Sequence, residues 1–138
     1  MKGFMTVGFV LAFACQLVAE ERSAVARVTT YSRNDGSRKA AANGAKLNES
    51  HCAVDPKKVP YGSKIKFDDG SECTAMDTGP AVKKGKAAKA SGRTADQRNA
   101  IVVDRYFDNK QKAAAWRKTH PHFMKVRVQT ADAEQGAH

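Results

Sequence analysis

The sequence predicts a mainly β chain, folded as one small barrel of six short strands with a single helix before the last. Three observations lead there. Short segments in which apolar and polar residues alternate recur between turn signals. Only one stretch, 110–118, reads as a helix. The 138 residues leave room for one domain with a core of ordinary size. Six strands with few hairpin turns suit a barrel better than a sandwich.

The elements follow in order. Residues 26–32 alternate and are rich in β-branched side chains, which marks a first strand. The polar stretch 33–48 carries Gly36 and Gly44 and reads as a loop. A second strand, 51–54, stops at Asp55-Pro56, and Val59-Pro60-Tyr61-Gly62 is a turn. Residues 64–67 alternate as a third strand. Asp68-Asp69-Gly70-Ser71 then turns the chain, with the Asp-Gly pair that tight hairpins favour, into a fourth strand at 72–76.

Thr78-Gly79-Pro80 breaks that strand. Residues 83–98 hold six basic side chains against one acidic, without apolar periodicity, and are expected to form an exposed, mobile loop. A fifth strand spans 101–107. Asp108 or Asn109 caps the helix, which His120-Pro121-His122 ends. Residues 123–128 are the last strand and 129–138 a polar, frayed tail. The folded unit is therefore 26–128.

The start of the chain bears on its destination. A basic Met1-Lys2-Gly3 precedes an apolar run from Phe4 to Val18, too short for a comfortable membrane span and ordered like a secretory signal. Cleavage is expected after Ala19, which makes the protein exported: periplasmic, wall-associated or secreted, with no transmembrane segment once the signal is removed. Cys15 offers the alternative of a lipid anchor. Removing 1–19 leaves Cys52 and Cys73, an even pair in an exported chain and so expected to form a disulfide. Two cysteines and scattered histidines lack zinc spacing, so no metal or other cofactor is expected. A monomer is expected.

The formal charge of +10 points to an anionic partner. A nucleic-acid partner fits the charge but not the rest, since aromatics are not interleaved with the basic residues and no metal-ligand or paired-histidine motif is present. His120 and His122 at a helix end carry no expected chemistry, and Trp116 reads as core.

Three aspartates hold the chemical interest: Asp55 in Ala53-Val54-Asp55-Pro56, Asp77 in Ala75-Met76-Asp77-Thr78-Gly79-Pro80, and Asp104 in Val102-Val103-Asp104-Arg105-Tyr106-Phe107. Carboxylates in short apolar strands are costly unless solvated, paired or used. Asp55 before Pro56 also has the form of a side chain capping its own turn. With the turn Pro60-Tyr61-Gly62-Ser63 between the first two, the order of these motifs resembles the three-aspartate domain, the double-psi β-barrel of bacterial cell-wall enzymes such as lytic transglycosylase A and rare lipoprotein A, and more distantly of expansins. The resemblance covers Tyr31 to Val128. Pro80 stands where many members carry a second glycine, and Asp77 and Asp104 are further apart than in the family, the excess being the basic stretch.

The resemblance implies lytic cleavage of the β-1,4 bond between N-acetylmuramic acid and N-acetylglucosamine in peptidoglycan. Asp104 would serve as general acid and then base, with Asp77 as the neighbour whose charge favours a proton on it. Asp55 would be the third acid. Thr29 and Tyr31 correspond to a Thr-x-aromatic pair lining the groove in related barrels, Thr78 and Gly79 belong to the second motif, and Lys46 could meet the acidic cluster. The alternative is an expansin-like module that binds or loosens wall polymer without cutting it.

Overall fold

In the computed structural model, residues 20–32 and 39–130 are described, together with Gly3. The expected signal segment with Cys15, and residues 131–138 of the expected tail, lie outside them. The chain forms β1 (Glu21–Ser32), β2 (His51–Ala53), β3 (Lys64–Phe67), β4 (Glu72–Asp77), α1 (Pro80–Lys83), α2 (Lys86–Ser91), α3 (Ala95–Arg98), β5 (Ile101–Phe107), α4 (Lys110–Thr119) and β6 (Phe123–Gln129). The strands close into a six-stranded barrel in the order β1-β5-β2-β4-β3-β6. The mainly β class and the helix before the last strand are as expected.

β1 begins five residues earlier than its alternation suggests, because it serves two neighbours. Its first half pairs antiparallel with β6, from Glu21–Gln129 to Arg27–Phe123, and its second half pairs parallel with β5, from Ala26–Ile101 to Ser32–Phe107. Side chains alternate between the inside and outside of such a barrel. Ala26, Val28, Cys52, Val54, Ile65, Cys73, Val103, Val126 and Val128 fill the interior and are nearly or fully inaccessible. Trp116, on α4, packs against this core as its type suggested. α4 starts at Asn109, whose side chain accepts a hydrogen bond from the Lys112 amide at 2.9 Å.

The basic stretch corrects the sequence reading. It is not an exposed loop but two helices, α2 and α3, following α1 and laid against the outer face of the barrel. Val82 and Ala88 pack there with Ala53, Ala100 and Val102. Arg27, reaching out from β1, donates from Nε to Ser91 Oγ at 2.9 Å and ties the end of α2 to the barrel. Gly92 makes the return to α3 possible: a Cβ there would lie 2.6 Å from the Arg98 amide nitrogen and 2.8 Å from the Ala88 carbonyl oxygen. The apolar signal was missed because alanine carries most of it. The six basic side chains between 83 and 98 all point into solvent, as their charge requires.

The disulfide is likewise not formed in this structure. Cys52 and Cys73 are free thiols, both fully buried. They sit on neighbouring strands, but Cys52 pairs in register with Ala75, which leaves Cys73 a diagonal neighbour. Burial, followed by a hydrogen bond with Cys73, pushes the Cys52 thiol well above its ordinary range.

Candidate functional site

The site is built on three adjacent strands. In the barrel order β2 lies between β5 and β4. Ala53 on β2 pairs with Asp104 on one side and with Asp77 on the other. The two carboxylates thus stand across a single residue whose methyl group leaves the space between them open. A register shift puts Asp77 in line: Cys52 pairs with Ala75, yet Ala53 pairs with Asp77, so Met76 is extra. Ala75 faces the interior, and strict alternation would send Asp77 after it. The bulge turns it outward instead.

Each carboxylate is held by a hydroxyl from β1. Thr29 lies opposite Asp104 in the parallel pairing and donates from Oγ1 to Oδ1 at 2.8 Å. Tyr31, two residues on and on the same face, donates from its hydroxyl to Asp77 Oδ2 at 3.0 Å. The other Asp77 oxygen accepts the Ala41 amide at 3.1 Å. The Tyr31 ring is fixed edge-on against Tyr106, with centroids 5.4 Å apart. Burial first, then the charge of Asp77, raises the Tyr31 phenol far above its ordinary range, so it remains a donor at any working pH. Asp77 is only 6% exposed, whereas Asp104 is partly open to solvent.

Both acids line a cavity of about 150 Å³ together with Tyr31, Ala53, Thr78 and Gly79. Thr78 donates from Oγ1 to the Val54 carbonyl at 2.7 Å, and the Val54 amide donates to the Asp77 carbonyl at 2.9 Å, which extends the β2–β4 pairing past the last strand residue. Gly79 is extended at φ −168°, a conformation open to any residue, and a Cβ there would meet nothing within 4 Å.

Two residues expected at the site are elsewhere. Asp55 caps its turn: Oδ1 accepts the Lys57 amide at 3.1 Å, and its carbonyl accepts the amides of Lys58 and Val59, both at 2.9 Å. Pro56 after it explains the choice, since the chain must leave the sheet there. Lys46 is exposed on a two-residue bridge with Lys39, outside the lining of the cavity.

Two apolar residues that were not expected as site residues complete the site. Ala53 separates the acids, and Val82 lies in the wall beside them. The signal for Ala53 was its place two residues before Asp55. Val82 lies between the Thr78-Gly79-Pro80 break and the basic stretch, and it was not singled out as a site residue. No protein-family model matches this chain, and no curated protein matches it.

Proposed function

We propose that the protein is an exported peptidoglycan lytic transglycosylase, a three-aspartate double-psi barrel that cleaves the β-1,4 bond between N-acetylmuramic acid and N-acetylglucosamine and leaves 1,6-anhydromuramoyl ends. The observation that carries this reading is the pairing of Asp77 and Asp104 across Ala53 in one cavity, each oriented by its own hydroxyl from β1.

The two acids are suited to different work. Asp77 is buried, and both of its oxygens already accept hydrogen bonds from the protein. With its oxygens engaged and its side chain buried, Asp77 is poorly placed to pass a proton to a ligand, so the other acid is the proton carrier in this reading. Asp104 is the accessible one, with Thr29 fixing one oxygen. In the proposed reaction Asp104 gives its proton to the glycosidic oxygen as the bond to the muramoyl anomeric carbon breaks. The resulting carboxylate then takes the proton of the muramoyl 6-hydroxyl as that oxygen closes onto the same carbon. Water is not consumed, and the acid returns to its starting form. The basic side chains of α1 to α3, exposed beside the groove, supply attraction toward anionic wall polymers.

One observation favours the second reading, an expansin-like binding module. Both Asp77 oxygens are engaged by the protein itself, which would also suit a strut that shapes a groove. Mass spectrometry of sacculi incubated with the protein separates the two. New anhydro ends are expected from the wild type and none from Asp104→Asn, which cannot deliver a proton, with at least a thousandfold loss of rate and an unchanged fold. Binding without new ends in the wild type would establish the binding module instead.

A further inference from the structure

Beside the acidic cavity lies a second one, of about 370 Å³, between α1, α2 and the outer faces of β1 and β5. Val82, Ala87, Ala90 and Val102 form its walls, Thr29 and Asp104 stand at one end, and Lys86 lies on its rim. Val82 and Asp104 belong to both cavities, so the two run into one another at the proposed acid. The half around the two acids is the smaller; both halves are lined mostly by apolar surface, and the polar end of the larger one is where Thr29 and Asp104 stand.

Its size falls within the range of about 300–1,000 Å³ typical of small-molecule sites. The walls constrain the occupant further. A ring bearing only hydroxyls would lose water there without regaining hydrogen bonds. A group ending in a methyl, carried on a neutral ring, would meet the valines and alanines while its ring stayed at the polar end. We infer that this cavity is a subsite for the acetamido group of an N-acetylated sugar bound beside Asp104, built by the helical segment between β4 and β5. The inference rests on the glycan reading of the same site, but not on cleavage.

The segment's composition fits this role. Alanines at 87 and 90 keep the wall low, and a larger residue at either position would fill the space. Ala90 is exposed and Ala87 partly so, which makes both replaceable without touching the barrel core. Val82 and Ala88 hold the wall in place from beneath.

The test compares chitotetraose with cellotetraose, two neutral β-1,4 tetramers that differ in having an acetamido group or a hydroxyl on each ring. Binding is followed by NMR of the protein's methyl groups and by calorimetry. Chitotetraose is expected to shift the Val82 and Val102 methyls and to bind at least about fourfold tighter, the factor for burying one methyl. Ala90→Phe should abolish that preference, bringing the two tetramers to equal affinity, with Ala87→Leu as the second variant should the first not fold. Lys89→Ala, on the same helix but outside the lining, should retain it. Equal affinity for the two tetramers, no binding of either, or a preference that survives in the filled variants would overturn the subsite. If the preference holds and sacculi yield no anhydro ends, the subsite stands and only the cleavage reading fails.

Discussion

Asp104 and Arg105 are consecutive residues on β5, and they meet opposite environments. Asp104 points outward to the groove, partly solvated, with one oxygen held by Thr29. Arg105 points inward and is 6% exposed, its guanidinium over the rings of Phe67 at 4.7 Å, Trp116 at 5.3 Å and Phe107 at 5.7 Å. Its Nη1 donates to Ser71 Oγ at 3.0 Å. One charge is placed where it can exchange a proton with a ligand; the other closes one end of the barrel. Strand alternation alone makes the difference, so adjacency in sequence says nothing about shared function on a strand.

Substitutions at the two positions should separate these roles completely. The largest effect is the loss of anhydro-end release in Asp104→Asn, with thermal stability close to that of the wild type. Arg105→Ala should do the reverse. It removes the cation from three aromatic faces and leaves a hole among them, at a cost of about 3 kcal/mol in chemical denaturation, while the remaining folded protein keeps its turnover. If Arg105→Ala abolished activity in a stable protein, the inner and outer faces of β5 would be coupled and the contrast would break.

Tyr31→Phe sharpens the comparison from the outer side. It leaves the buried Asp77 with one donor fewer, and the expected loss is about 1–3 kcal/mol. A phenol whose pKa rises on folding contributes stability that is full below its ordinary value of roughly 10 and lost as pH climbs above it. The difference in stability between wild type and Tyr31→Phe should therefore shrink in alkaline solution.

The smallest effect belongs to an exposed turn beside the aromatic cluster around Arg105. Asp69, in the turn between β3 and β4, accepts from the Ser71 hydroxyl and amide and pairs with His120 at 2.8 Å, while the His120 ring stacks on Trp116. Chiefly through Ser71, its carboxyl is held down to about 2 from 3.8. Such a group adds stability above about pH 4 that disappears as pH falls toward 2. The carboxylate is largely solvated, so Asp69→Asn should cost less than about 1 kcal/mol at neutral pH and almost nothing near pH 2. A constant difference across that range would mean that packing, not charge, links the turn to α4.

How much of this was legible depended on side-chain size and on distance along the chain. β3 and β5 lie where they were expected, and α4 ends one residue past its expected limit. β3 alternates, β5 is rich in β-branched and aromatic residues, and α4 is marked by its Asn109 cap and by His120-Pro121 at its end. The helices between β4 and β5 were hidden because alanine packs without announcing itself in a hydropathy pattern. For the site, motifs marked Asp77 and Asp104, but their pairing across Ala53 depends on a bulge, and no local feature of Ala75-Met76-Asp77 announces it. Asp55 has both a motif and a turn chemistry, and the turn won. His120, read as idle, joins the hairpin to the helix through contacts between residues 51 positions apart.

The double service of β1 has a consequence for how the molecule comes into being. A strand that needs β5 for one half and β6 for the other finds no lasting partner until the chain is available as far as Gln129. Contacts that span most of the sequence are slow to form, because the intervening chain must be gathered first. The barrel is thus expected to assemble late and all at once, its earliest-made strand waiting for the last. Until β1 is fixed, Thr29 and Tyr31 are not held against the two outward aspartates, so the order around that cavity is expected to come late in assembly.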